Sequence, residues 1–171
     1  MTYYSMKYDS PVGKITLACD DNNLVGLWIE GQKYFSGTVC NFIESPDHDI
    51  LIAGKNWLDD YFSGKRPKIS KLPLAPIGSK FRQEVWKILI EIPYGEVTTY
   101  GSIAKELSNE GKNMSSQAVG GAVGHNPISI IIPCHRVVGS NGSLTGYAGG
   151  LEKKMKLLEH EGIDISKFLI P

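Results

Sequence analysis

Residues 65–79, KRPKISKLPLAPIGS, hold three prolines, Pro67, Pro73 and Pro76. A proline ring fixes φ and removes a backbone donor, so this stretch is not expected to be a helix and reads as an extended connector between domains. It divides the chain into two bodies, with a boundary near residue 76, and each body has to be read separately. The 171 residues are enough for one or two small domains, each with a core of its own.

The part before the prolines reads as β structure. YYSMKY and KITLAC flank the turn-like DSPVG, and LVGLWI follows a second turn cluster, DDNN. Short strands this close together predict an antiparallel meander. DILIAGKNWLDDYF then predicts a helix, with Ile50, Trp57, Leu58 and Tyr61 near one face and Gly64 after its end.

Beyond the prolines the pattern is helical. In SKFRQEVWKILIEI, Phe81, Val85, Ile88, Leu89 and Ile92 recur at helical spacing until Pro93 stops them. Thr99 can cap YGSIAKEL, where Ile103, Ala104 and Leu107 share a face. After the polar loop SNEGKNM, Ser115 or Ser116 can open QAVGGAVGHN, and the two short helices outline a helix-turn-helix. Gly120 and Gly121 each cost about 1 kcal/mol against alanine inside a helix. That cost implies that something must approach this backbone closely. GGLEKKMKLLEHEG predicts a last helix, with Leu151, Met155 and Leu158 as its buried stripe and Gly162 as its stop.

Composition removes several classes. The apolar run Ile128 to Ile132 is far short of the ~20 residues of a membrane helix. MTYYSMKYDS lacks the basic and apolar segments of a secretory signal. Three cysteines, Cys19, Cys40 and Cys134, do not make a disulfide framework. The expectation is a soluble, cytoplasmic protein without a membrane partner. Charge offers no lead towards nucleic acid: the balance is −1 for residues 1–76 and +1 for residues 77–171. Cys19, Cys40 and His48 lack paired zinc-ligand spacing, so no metal site is expected.

The segment ISIIIPCHRVVG carries the chemistry. A lone cysteine is first of all a small buried hydrophobe. Cys134, however, follows Pro133, which makes the approach to the thiol rigid. Rigidity suits a nucleophile, because a displacement of about 1 Å can cost a hundredfold in rate. His135 and Arg136 bring polarity and positive charge, which would lower the thiol's pKa. Cys19 and Cys40 have no such neighbours and are assigned to structure. Adjacent side chains diverge, so His135 is expected to reach Cys134 through one bridging water. Its second ring nitrogen then needs an acceptor. Glu161 sits in the final turn of the last helix, where the dipole disfavours a carboxylate. It is a candidate for that acceptor, although Glu159 and Glu161 read equally well as solvated surface charges.

IPCHRVVGSNGSLTGYAGGLEKKMKLLEHEG, with the upstream AVGGAVGHNPISII and YGEVTTYGSIA, resembles the C-terminal domain of the O6-alkylguanine-DNA alkyltransferases, also called methylated-DNA–protein-cysteine methyltransferases. The likeness runs from about Phe81 to Gly162, and DSPVGKITLA is similar to the family's first domain. It implies an α+β protein. A small antiparallel-sheet, ribonuclease-H-like scaffold domain would span residues 1–76. A mostly helical, winged-helix-like domain with the helix-turn-helix, carrying DNA binding and alkyl transfer, would span residues 77–171.

The resemblance further implies direct reversal of DNA damage: Cys134 takes an alkyl group from the O6 of guanine and keeps it, in a single turnover, without a cofactor. O4-alkylthymine is a second candidate substrate. His135 becomes the base acting through water, and Glu161 orients it. Tyr100, on residues alone equally a core aromatic, becomes the donor to the leaving oxygen, and Asn126 braces the active-site turn. Tyr147, Ala148 and Gly149 of GYAGG line the pocket for the extruded base. The second helix would enter the minor groove of double-stranded DNA while the alkylated nucleotide flips out. Gln117, Ala118, Gly121, Ala122 and Arg136 form the DNA-contacting set, and a monomer is expected. Two positions depart from the pattern: Gln117 stands where many members carry an arginine that fills the space of the flipped base, and Ala148 where some carry a serine. The alternatives are a binding-only relative, a type that replaces the cysteine, commonly by tryptophan, and a cysteine hydrolase or redox thiol unrelated to DNA.

Overall fold

A computed structural model describes residues 1–111 and 114–171; Lys112 and Asn113, part of the polar loop of the expected helix-turn-helix, lie outside the described residues. The chain divides into two compact units, Met1–Gly78 with Pro127–Ile131, and Ser79–Asn126 with Ile132–Pro171.

In the first unit, β1 (Tyr3–Ser10), β2 (Gly13–Cys19) and β3 (Leu24–Ile29) form the expected antiparallel meander. A further short strand, β4 (Phe42–Glu44), pairs parallel with β1, so the order is β3-β2-β1-β4 and the sheet is mixed rather than purely antiparallel. Three residues are too few to show an alternating pattern, and Ile43 is exposed, so β4 left no mark in the sequence. Helix α1 (Asp49–Phe62) covers the sheet with Trp57, Leu58 and Tyr61 inward as the periodicity predicts, but at its start Leu51 is the buried residue and Ile50 is only half-buried. Ile15, Leu17, Leu24, Leu27, Leu51 and Leu58 are fully buried. Each such side chain contributes about 1.5–3 kcal/mol on leaving water, which is what ties helix to sheet. A second cluster gathers Ala18, Val25, Trp28 and Val39. Its indole lies across Gly26, where a Cβ would stand 2.1 Å from the Trp28 ring, so only glycine fits.

The outer edge of β3 is covered twice. Leu24 N–H donates to Pro73 O (2.7 Å) and Ala75 N–H to Leu24 O (2.9 Å), so part of the proline stretch pairs with the sheet. Farther along, Leu27 N–H donates to Pro127 O (2.8 Å) and Ser129 N–H to Leu27 O (3.0 Å). Both pieces satisfy backbone groups that would otherwise form an open edge. The second piece closes on itself: Ile131 N–H reaches Ser129 O (2.8 Å) around Ile130, whose φ is 71°. A β-branched residue in that region is strained.

In the second unit, Ser79 caps α2 (Lys80–Ile90), Thr99 caps α3 (Tyr100–Asn109) and Ser115, rather than Ser116, caps α4 (Ser116–Gly124), each by accepting a backbone N–H. α3 packs on α4, and α4 turns Val119, Ala122 and Val123 inward. Trp86 Nε1 donates to Ala122 O (2.8 Å), one of the end-of-helix carbonyls with no intrahelical donor. β5 (Thr98–Thr99) runs parallel to β6 (Val137–Val138). Against β6 lies α5 (Leu151–His160), whose Leu158 packs with Val138 and Leu144, flanked by Leu151 and Met155. Gly162, at φ 85°, ends it. Among the described residues no helix is long and apolar enough to cross a membrane.

Candidate active site

Cys134 opens a short 3-10 turn, Cys134–Arg136, that leads directly into β6. Pro133 (φ −82°, ψ 65°) forms an inverse γ-turn closed by Cys134 N–H to Ile132 O at 2.8 Å. Asn126 Nδ2 donates to the same carbonyl (2.8 Å) and also hydrogen-bonds the Cys134 side chain. The thiol is therefore held from both sides, and its residue is only 3% exposed.

Because α5 docks on β6, its C-terminal end lies against the turn. Glu161, the residue closing α5, is buried, and each of its carboxylate oxygens accepts twice. Oε1 accepts from Arg136 Nε (2.8 Å) and Gly95 N–H (3.0 Å); Oε2 accepts from His135 Nε2 (2.6 Å) and Arg136 Nη2 (3.1 Å). Arg136 Nη1 goes to Ile92 O (2.6 Å), and its guanidinium stands 5.7 Å from the centre of the Tyr94 ring. His135 is fully buried, with Tyr147 edge-on at 6.5 Å, and its Nδ1 finds no hydrogen-bond partner among the described residues.

The protonation states follow. Burial pushes the Glu161 carboxyl up, but the hydrogen bonds and charges of His135 and Arg136 outweigh it and hold the group well below the usual carboxylate range. Burial drives the His135 imidazole down, opposed by Glu161 and assisted by the charges of Arg136 and Lys154. The two shifts conflict if the ring has to be charged to keep Glu161 ionised. It does not, because the Arg136 fork and Gly95 N–H already satisfy that charge. We therefore assign a neutral ring that donates Nε2–H to Glu161, which leaves a lone pair on Nδ1.

Burial raises the Cys134 thiol, against the lowering pull of Asn126 and of the Lys154 charge. The expectation that Arg136 primes the sulfur is thus corrected: the guanidinium is spent on Glu161 and Ile92 O, and the cation the sulfur feels is Lys154. Lys154 is fully buried on α5, and Nζ donates to Val137 O (2.5 Å) and Thr145 O (2.8 Å). Burial brings its ammonium down to about 8, opposed by Cys134. Lys154 went unnamed in the sequence, yet a signal was there: it sits three residues after Leu151 and four before Leu158, on the apolar stripe.

Of the other expected residues, Tyr100 opens α3 and donates its hydroxyl to Thr145 O (3.0 Å). Burial and the Cys134 charge push that hydroxyl up to about 12. Gly146, at φ 86°, passes so close that a Cβ would fall 2.5 Å from Tyr100 Oη. Ala148 and Gly149 are half-buried in the loop entering α5. On α4, Gln117 and Gly121 are exposed, Ala118 is half-buried and Gly121 has open space where a Cβ would stand. Two members of the DNA-contacting set do not belong there. Ala122 is buried against α2, and Arg136 is buried in the Glu161 fork. Elsewhere, Cys19 lies 3.5 Å from His48 Nδ1 and Cys40 is exposed; among the described residues no three His, Cys, Asp or Glu side chains gather as metal ligands.

Fold and site together define a two-unit α+β protein whose helix-turn-helix unit carries a braced, buried cysteine beside a histidine–carboxylate pair. Family models cover nearly the whole chain: the 6-O-methylguanine DNA methyltransferase ribonuclease-like domain matches residues 3–76, and the DNA binding domain of the same name matches residues 80–163. A methylated-DNA–protein-cysteine methyltransferase of Shigella flexneri is 51% identical, covering 91% of this chain and 94% of that protein. One of Methanosarcina acetivorans is 43% identical, covering 94% and 98%. The solved Mycobacterium tuberculosis O6-methylguanine methyltransferase is 39% identical with a TM-score of 0.81, covering 94% and 93%. M. tuberculosis OGT in complex with DNA is 38% identical with the same TM-score, covering 98% and 95%. The chain belongs to the 6-O-methylguanine DNA methyltransferase family.

Proposed function

We propose that the protein repairs DNA by moving the alkyl group of an O6-alkylguanine onto Cys134, once per chain. One observation carries this reading: His135, the residue after Cys134, is pinned through Nε2 to Glu161 with no hydrogen-bond partner for Nδ1 among the described residues, and burial raises the Cys134 thiol. A protonated thiol is a poor nucleophile and needs a base. Nδ1 takes the Cys134 proton through one water, and the sulfur forms a bond to the alkyl carbon as the carbon–oxygen bond breaks. The electron pair of that bond stays with the guanine, which takes up a proton as His135 gives one back, so the thiol hydrogen is replaced by alkyl and the base leaves neutral. Tyr100 supplies the hydrogen bond to the departing purine by turning its hydroxyl from Thr145 O, and the Lys154 charge steadies the sulfur as it ionises. The thioether left behind stays on Cys134, so each chain transfers once.

The named relatives and the DNA complex of the M. tuberculosis protein support duplex DNA as the partner. We assign the minor groove to α4, because Gly121 and Gly124 leave open space on its surface and a close approach suits them. Gln117 fills the space of the flipped nucleotide, which stacks in the loop of Tyr147, Ala148 and Gly149. The protein acts as a cytoplasmic monomer, with residues 1–76 as scaffold and residues 77–171 as the reacting body. Peptide mass spectrometry after incubation with duplex DNA containing O6-methylguanine tests the reading. One methyl on the Cys134 peptide is expected, whereas binding with no modification would make the protein a reader of damage.

A further inference from the structure

The residue that the geometry reassigns most sharply is Arg136. It carries a formal charge in a region that is expected to meet phosphates, yet it is 5% exposed and every group it points at is internal. Its Nε and Nη2 grip the two oxygens of Glu161 side by side, Nη1 is fixed on Ile92 O, and the guanidinium lies over Tyr94. The far ends of this grip belong to the turn after α2, and Gly95 of the same turn also donates to Glu161. We propose that Arg136 is a positioning residue of alkyl transfer: by fixing the plane of the Glu161 carboxylate it dictates that His135 carries its hydrogen on Nε2, and so presents Nδ1 to the Cys134 proton.

The inference rests on the proposed alkyl transfer, and three features carry it. A carboxylate at the C-terminal end of a helix sits against the dipole and needs a cation to hold it there. A bidentate guanidinium sets the carboxylate's plane as well as its charge, which a lysine ammonium cannot do. Arg136 Nε and Gly95 N–H meet Oε1 and Arg136 Nη2 meets one side of Oε2, and His135 Nε2 comes to Oε2 beside them. Among the described residues, the charges that act on His135 are Glu161 and Lys154 from the α5 side and Arg136 beside it, and the titratable Tyr147 ring faces it edge-on. Of these, Arg136 and Lys154 disfavour the imidazolium while Glu161 favours it. Burial and Lys154 still hold the ring neutral without Arg136, but one opposing charge is gone, so the pH at which Nδ1 takes up a proton rises.

The test is the single-turnover rate of methyl transfer from O6-methylguanine duplex DNA across pH, for wild type, Arg136→Lys and Arg136→Gln, with DNA affinity measured alongside. Arg136→Gln is expected to transfer about ten- to a hundredfold more slowly near neutrality, the scale at which partners of a working histidine act. Its acid limb should move to higher pH, and Arg136→Lys should restore the position of that limb while recovering only part of the rate. DNA affinity should stay as in wild type. Slower transfer with an unmoved pH profile, or weakened DNA binding in its place, would overturn the proposal. If Arg136→Gln does not fold, nitrogen NMR of His135 in the wild-type protein decides: a neutral ring with its hydrogen on Nε2 at pH 7 supports the proposal, and hydrogen on Nδ1 refutes it. A wild-type protein that never methylates Cys134 would remove the transfer reading itself, an outcome distinct from all of these.

Discussion

The residue proposed to accept the alkyl group is one whose own chemistry is unfavourable. Cys134 is buried and its thiol is raised, so its reactivity depends on what it is given. Glu161→Gln tests the supply of a base. The amide keeps the size of the side chain but leaves the Arg136 cation unpaired in the interior, a loss of about 3–5 kcal/mol by the general cost of breaking a buried pair. Thermal unfolding and transfer rate should both fall; an unchanged rate would show that His135 needs no carboxylate. Lys154 makes a prediction in pH. Its ammonium falls from the ordinary 10.5 to about 8 in the folded protein. Between those values the unfolded chain holds a proton that the folded chain has released, so stability rises as pH climbs through the window. Below pH 8 the burial of the charge costs about 3 kcal/mol, and the cost is gone above the unfolded value. Denaturant unfolding of wild type and Lys154→Met from pH 7 to 11 should show the wild type gaining on the variant through that interval. A constant difference would mean that Lys154 is not the titrating group.

At the level of elements, α4 is the piece whose sequence makes sense only with a partner. Glycine at 121 costs the helix about 1 kcal/mol, and among the described residues no atom lies within 4 Å of where its Cβ would stand. Gly121→Leu should therefore raise the unfolding midpoint slightly and weaken binding to duplex DNA, a combination that a merely structural glycine cannot give. If affinity holds, α4 does not face the duplex. Gln117 is exposed on the same helix and brings no charge. Gln117→Arg should strengthen DNA binding and speed transfer; both unmoved would mean that this side chain does not meet the DNA as proposed. The helices are legible because caps and apolar stripes are local: α1 and the Thr99 cap follow from residue type and spacing, while the choice between Ser115 and Ser116 for α4 takes the structure. β4 is not, because three residues carry no period, and its pairing with β1 is a long-range event. Ala122 was misread because its carbonyl is held by Trp86, far away in sequence, and only packing tells an inward alanine from an outward one.

Across the whole molecule, the chain brings together what the sequence keeps apart. His135 and Glu161 could be paired from sequence only through the family likeness, since 26 positions separate them and both solvated and buried readings fit the residue types. Arg136 escaped for the same reason: its neighbour in sequence is the reactive cysteine, but its partners are Glu161 and Ile92 O. Nor does a net charge of zero advertise a DNA partner. With few phosphates neutralised, the salt dependence of binding should be shallow beside that of strongly basic proteins. The measurement that meets the central claim head-on is a titration with lesion in excess, counting methyl groups removed from DNA per chain. A plateau at one is expected, with the group on Cys134 and none on Cys19 or Cys40. Removal that continues past one per chain, or a plateau with Cys134 unmodified, would contradict it.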